Sequence, residues 1–204
     1  MKKFIWILSL SLSLFSYNDD GSSLYKTFSN QKAYRILLDL AKKDDAWAMY
    51  ALGVSYMKGR GVKQDFKKAL FWLKKAALKN NPNAQFLLAN LYFEGKGTLK
   101  DLSKAYKWYE KAAKNKNKEA MYKLALMSLE GKGCKKDYKK AFEWFLKSAK
   151  NKNVKAQTKI GLMYAAGLGV KKDMKKAKEW IKKAYESGDE EAKKAWEIFK
   201  LWKY

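Results

Sequence analysis

The 204-residue chain contains no histidine. That excludes hydrolytic triads with an imidazole base and zinc centres with an imidazole ligand. There is one cysteine, Cys134, so neither an internal disulfide nor a thiolate metal site can form. No metal and no cofactor are expected. The single proline, Pro82, falls at the start of a predicted helix, where it interrupts nothing. Of 45 basic residues only Arg35 and Arg60 are arginine. Arginine forks are the usual readers of base edges and phosphates, so specific nucleic-acid recognition is not expected.

What the chain does have is repetition. Asp65, Asp101, Asp137 and Asp173 are evenly spaced, 36 residues apart. Trp72, Trp108, Trp144 and Trp180 follow them at a fixed offset, and Gly59/Gly61, Gly95/Gly97, Gly131/Gly133 and Gly167/Gly169 precede them. A period of 20–50 residues marks units that bury their core only by stacking.

Inside each unit the period is helical. Ala48, Leu52 and Tyr56 share one face of a first helix; Ala69, Trp72, Ala76 and Ala77 share one face of a second. Gly-x-Gly ends the first helix through the positive φ that glycine accepts. The aspartate then opens the second as its N-cap. The four aspartates are therefore expected to be structural caps, not catalytic acids. The glycine loops lack the longer phosphate-binding patterns. The tryptophans are expected to fill the space between helices.

This pattern resembles the Sel1-like repeat family, relatives of the tetratricopeptide repeats. Four consecutive units share the elements Leu52-Gly53-x-x-Tyr56, Gly59-x-Gly61, Asp65 and Lys68-Ala69-x-x-Trp72, with mild departures at Ala89, Ala125, Ser128 and Tyr185. The resemblance implies an all-α fold, a right-handed α-solenoid of helix–turn–helix repeats that acts as an adaptor. A cysteine-rich branch of the family is described as β-lactamases or penicillin-binding proteins. The chain resembles it in unit length and N-terminus but lacks its paired cysteines. Ser-x-x-Lys occurs at Ser23, Ser29 and Ser55, as often as chance predicts, without the companion motifs.

The expected organisation is a signal peptide over 1–16, a flexible linker over 17–29 and the repeat array over 30–204. The array divides into a half unit at 30–44, units at 45–80, 81–116, 117–152 and 153–188, and a closing helix at 189–202. Lys2 and Lys3 precede an apolar stretch from Phe4 to Phe15, then Ser16, near which cleavage is expected. The chain is thus expected to be periplasmic or secreted; retention as an inner-membrane signal anchor is the alternative. Cys134 takes the place of Val62, Thr98 and Val170, which suits packing, with pairing between chains as the alternative.

The net charge is +25. A solvated lysine surface explains it; attraction to an acidic protein, an anionic membrane or a cell-wall polymer is the functional reading. Because the repeated columns build the stack, recognition is expected at columns that vary. Tyr50, Phe86, Asn90 and Tyr122, on the first helices, are the candidate contacts for a protein or peptide partner. The leading expectation is an exported scaffold for protein–protein contacts in the bacterial envelope. A penicillin-recognising repeat protein and an electrostatic binder of envelope polymers are the alternatives.

Overall fold

The computed structural model describes residues 29–201; the expected signal peptide and all but the last residue of the linker lie outside them. Ten α-helices follow one another, with no strand among the described residues. They are α1 (Asn30–Lys42), α2 (Ala46–Lys58), α3 (Phe66–Leu78), α4 (Pro82–Glu94), α5 (Leu102–Lys114), α6 (Lys118–Glu130), α7 (Tyr138–Lys150), α8 (Val154–Ala166), α9 (Met174–Glu186) and α10 (Glu190–Ile198). The chain forms two compact units, Met1–Lys100 and Asp101–Tyr204. In the first, α2 packs against α1 and α3, and α4 against α3. In the second, α5 to α10 pack pairwise in chain order, and α10 also reaches α8.

Two kinds of turn alternate, and each has its own chemistry. Between a first and a second helix, Gly59, Gly95, Gly131 and Gly167 adopt φ near +70°, with values of 68°, 73°, 73° and 70°. This left-handed residue lets the helix end with its carbonyls satisfied. The second glycine has another reason to be glycine. A Cβ on Gly61, Gly97, Gly133 or Gly169 would collide with the backbone carbonyl of Asn30, Phe66, Leu102 or Tyr138, at the start of the preceding second helix. The turn presses directly on that backbone. Asp65, Asp101, Asp137 and Asp173 then cap the next helix. Asp65 accepts from the Lys67 and Lys68 N–H groups at 2.9 and 3.0 Å. The other three accept from Lys104, Lys140 and Lys176 at 2.8, 2.9 and 2.9 Å.

Between a second and a first helix runs a capping series that the sequence reading passed over. Asp45, Asn81, Asn117, Asn153 and Asp189 each accept from the N–H three residues on, that of Ala48, Ala84, Ala120, Ala156 or Ala192. The preceding residue is left-handed each time: Asp44, Asn80, Lys116, Lys152 and Gly188, with φ of 69°, 62°, 66°, 63° and 84°. Pro82 follows Asn81 as the first residue of α4, where its missing N–H leaves no helical bond unmade.

The core is built by alanines and one large residue per helix. Ala48, Ala84, Ala120, Ala156 and Ala192 are fully buried, as are Leu52, Leu88, Leu124 and Ile160. On the second helices the buried column is Leu73, Tyr109, Phe145 and Ile181, the residue after each tryptophan. This corrects the expectation that tryptophan fills the core. Of the four in this column only Trp144 is buried, at 8 % exposure; Trp72, Trp108 and Trp180 are half-buried. Each instead lies beneath the lysine one turn on, with Lys75, Lys111, Lys147 and Lys183 Nζ at 5.3, 4.5, 4.1 and 5.0 Å from the ring centroid. Such cation–π contacts each contribute about 0.5–1 kcal/mol at exposed sites.

The C-terminal end also differs from the expected helix to residue 202. Helix α10 stops at Ile198, and a turn brings Leu201, fully buried, onto Ile181, Ala184, Ala192 and Ala195. Phe199 and Trp196 pack at the edge of this cluster. The end of the second unit is thus closed by a single returning leucine as well as by the charged face of α10.

Candidate functional site

The first helices carry the residues expected to contact a partner. Tyr50, on α2, is buried at 7 % exposure, so most of its ring is taken up by packing. Phe86 and Asn90, one turn apart on α4, are half-buried. In the second unit Tyr122, on α6, is half-buried with its ring edge-on to Phe145 at 5.7 Å. Burial raises its hydroxyl pKa, and the charges of Glu191, Asp189 and Glu130 raise it further. In the same column Thr158 is buried and its hydroxyl donates to Asp189 at 2.9 Å. Lys159 pairs with Glu191 at 2.5 Å. The surroundings of Tyr122 are therefore rich in carboxylates, although the whole chain is basic.

A second recurring arrangement lies where the Gly-x-Gly turn meets the preceding second helix. In the first unit Tyr34 meets Tyr56 edge-on, and their hydroxyls hydrogen-bond at 2.8 Å. Burial and this bond push the Tyr34 pKa up to about 12. Lys68 lies over the Tyr56 ring, and these residues line an open cavity of about 530 Å³ with Val62, Gln64 and Asp65. In the second unit Phe142 and Tyr164 repeat the edge-on contact, with Lys176 over the ring.

The unit opened by α6 departs from this plan. Ser128 stands where Tyr56, Tyr92 and Tyr164 stand, and Cys134 where valine or threonine stands. Tyr106 enters the vacated space and is 9 % exposed, its hydroxyl 3.4 Å from Ser128 Oγ. Lys140 lies over the Tyr106 ring and pairs with Glu110 at 3.1 Å. Its hydrogen bond to Tyr106 and its pairing with Glu110 raise its pKa. Burial opposes ionisation of Glu110, yet the Lys140 hydrogen bond and the Lys140 and Lys114 charges hold its carboxyl below the usual range. Burial pushes the Cys134 thiol up, and its Sγ donates to the Met127 carbonyl at 3.6 Å. A thiol held protonated in this way is a weak nucleophile. Sequence alone pointed to Ser128 and Cys134 as substitutions but not to Tyr106 as the residue that settles against Ser128.

Among the described residues no group of three histidine, cysteine, aspartate or glutamate side chains is placed to hold a metal ion. No described helix is long and apolar enough to cross a membrane.

Paired helices, alternating glycine and Asx turns and an alanine-lined core define an α-helical repeat protein. The Sel1 repeat model matches residues 48–81, 82–117, 118–153 and 154–189, and the chain belongs to the Sel1 repeat family. Among solved structures it is similar to a Sel1 repeat protein from Oxalobacter formigenes, at 35% identity and a TM-score of 0.80 over 84% of this chain and 71% of that one. It is also similar to c5321, described as a protective antigen of uropathogenic Escherichia coli displaying an SLR fold. That match has 32% identity and a TM-score of 0.81, covering 91% of this chain and 41% of that one. No curated protein sequence matches the chain.

Proposed function

We propose that this protein is an exported scaffold whose first helices hold a protein or peptide partner in the bacterial envelope. Proteins built of Sel1 repeats generally mediate protein–protein interactions. The observation that carries the reading is a division of labour between columns. Apart from the tryptophans and the lysines that cover them, residues that recur in every unit are consumed by caps, turns and core, whereas Phe86, Asn90 and Tyr122, which differ from unit to unit, keep part of their surface in solvent. A half-exposed aromatic one turn from a polar amide, as Phe86 is from Asn90, is suited to gripping an extended or helical peptide. Export is supported by Lys2, Lys3 and the apolar stretch from Phe4 to Phe15.

Phe86→Ala, Asn90→Ala and Tyr122→Ala test the surface. Loss of partner capture with helicity retained supports it; unchanged capture by all three sinks it. Cell fractionation followed by N-terminal sequencing tests export. A periplasmic chain beginning near Tyr17 is expected, and a cytoplasmic chain retaining Met1 would contradict it.

The excess of 45 basic over 20 acidic residues favours a second, electrostatic reading, in which the lysine surface binds an acidic partner, an anionic membrane or a cell-wall polymer. Such binding should fade with added salt.

A further inference from the structure

Helix α3 differs from the other second helices on the side that faces solvent. Phe71 is 53 % exposed and Leu78 is 63 % exposed. The equivalent positions are Lys107 and Lys114 on α5, Glu143 and Lys150 on α7, and Glu179 and Glu186 on α9. Three helices keep charges there, and α3 alone presents two large apolar groups. It also contains no acidic residue, whereas α5, α7 and α9 each contain at least one glutamate.

The helical wheel puts these features in one pattern. At about 100° per residue, Phe71 and Leu78 lie about 20° apart and form one stripe. Lys68 and Lys75 fall within about 60° on one side of Phe71, and Lys67 and Lys74 within about 60° on the other. Ala69, Leu73 and Ala76, the buried residues that pack α3 into its unit, lie on the opposite side. Lys75 Nζ sits 4.6 Å from the Phe71 ring centroid and 5.3 Å from that of Trp72, so the cation rests on the rim of the aromatic pair.

We propose that α3 is a docking face for an anionic phospholipid surface, with Phe71 and Leu78 entering the interface and the flanking lysines meeting the headgroups. The charge fixes the sign of the partner: Lys67 and Lys74 border the apolar stripe on one side and Lys75 on the other, Lys68 being paired with the capping Asp65 at 3.9 Å, and no carboxylate lies within the helix. The shape favours a lipid surface over a peptide. Both apolar side chains stand out from one helical ridge with more than half their surface in water, and a ridge can sink into a headgroup layer. Aromatic and leucine side chains beside lysine are the composition of helices that lie in the membrane–water boundary. Lysine stems reach past apolar neighbours to keep their ammonium groups at the headgroups. The inference rests on neither the peptide surface nor on unspecific lysine attraction, since it requires Phe71 and Leu78.

The test is co-sedimentation of the chain, with residues 1–16 present and with them removed, with vesicles of phosphatidylglycerol and phosphatidylcholine, and with vesicles of phosphatidylcholine alone. The variant is Phe71→Gln/Leu78→Gln, which leaves the charge unchanged. Gln is a good helix former, and the sister helices fold with polar residues at both positions, so circular dichroism should not change. Partition of the wild type into anionic vesicles is expected, with a fall of ~tenfold in the variant from the lost apolar insertion. Equal partition of the two chains would show adsorption by lysine alone and overturn the proposal, as would absence of wild-type binding to anionic vesicles. If the variant loses capture of a poly-glutamate peptide while its vesicle partition is unchanged, the stripe serves an acidic peptide and the lipid assignment fails.

Discussion

The Tyr106 hydroxyl lies 3.4 Å from Ser128 Oγ, so that a serine meets the ring where Tyr56 meets Tyr34 and Tyr164 meets Phe142. One departure from the repeat thus changes its neighbour: the smaller Ser128 on a first helix lets the tyrosine of the preceding second helix sit buried at 9 % exposure. Restoring the repeat at Ser128 alone should do harm. Ser128→Tyr is expected to overfill the site and cost about 1–3 kcal/mol, measured by denaturant unfolding. Adding Tyr106→Leu, the residue type of the matching position Leu70, should recover most of the loss. Cys134→Val, which matches Val62 and Val170, should stay within about 0.5 kcal/mol of the wild type.

The two glycines of one turn should differ in their tolerance of alanine. At Gly131 a Cβ meets the Lys136 side chain at 3.2 Å, a contact that can relax, leaving the left-handed strain of about 1–2 kcal/mol. At Gly133 the same atom strikes the Leu102 carbonyl, which belongs to the first turn of α5 and cannot yield without moving the helix. Gly133→Ala should therefore cost more than Gly131→Ala, by about 2 kcal/mol or more. Equal losses in thermal or denaturant unfolding would refute this account of the second glycine.

Lys116 and Lys152 hold φ of 66° and 63° in the turns where the last repeat uses Gly188. A left-handed residue with a Cβ is strained by about 1–2 kcal/mol, and glycine gives back about 0.5–1 kcal/mol through its freer unfolded chain. Lys116→Gly and Lys152→Gly should each stabilise the protein by about 0.5–1 kcal/mol, while Gly188→Lys should destabilise it by a similar amount. Differential scanning calorimetry reads the sign directly.

The helix caps predict an acid limb. The backbone N–H of Lys104 lowers the Asp101 pKa, and that of Lys176 lowers the Asp173 pKa. A carboxylate with a depressed folded pKa contributes stability above its unfolded value, near 3.9, and loses it as the pH falls through the folded value. Asn81, Asn117 and Asn153 show on the first helices that an amide can accept the same N–H, three residues on, without titrating. The double variant Asp101→Asn/Asp173→Asn should therefore unfold with a shallower dependence on pH below about 4 than the wild type. Identical acid limbs would contradict the assignment.

The Asn117 cap makes a separate demand. Asn117 is 7 % exposed and holds the Ala120 N–H at 2.8 Å. Asn117→Ala should cost about 1–2 kcal/mol, and Asn117→Asp much less. Urea unfolding of the two variants separates loss of the cap from loss of side-chain volume.

The repeat, the helix pairs and the Asp65-type caps were legible in the chain because each depends on local spacing. Glycine before a break, aspartate after it and alanine at helical intervals express backbone preferences that need no distant partner. The second capping series, at Asp45, Asn81, Asn117, Asn153 and Asp189, was equally regular in spacing. It was hidden by its mixture of two residue types and by the repetition of aspartate elsewhere. The tryptophan column misled for the opposite reason. Regular recurrence suggested burial, but the column that fills the core is the adjacent one, where Leu73, Tyr109, Phe145 and Ile181 share no identity, only bulk.

Sequence by itself therefore determined the class of the protein: the period, the alternation of helices, most of the places where they start and stop, and the absence of histidine. These are one-dimensional quantities, set by φ preferences, capping hydrogen bonds and the helical period. The buried face of each helix was already marked by Ala48, Leu52 and Tyr56 and by Ala69, Ala76 and Ala77; which residues at the edges of that face turn inward was decided only in three dimensions. Packing buries a face according to the fit of its volume, so Tyr50 is drawn inward while Phe86 and Tyr122 stay half in solvent. The same fit settles Tyr106 against Ser128, leaves Phe71 and Leu78 standing out beside lysines, and turns Leu201 back to close the core.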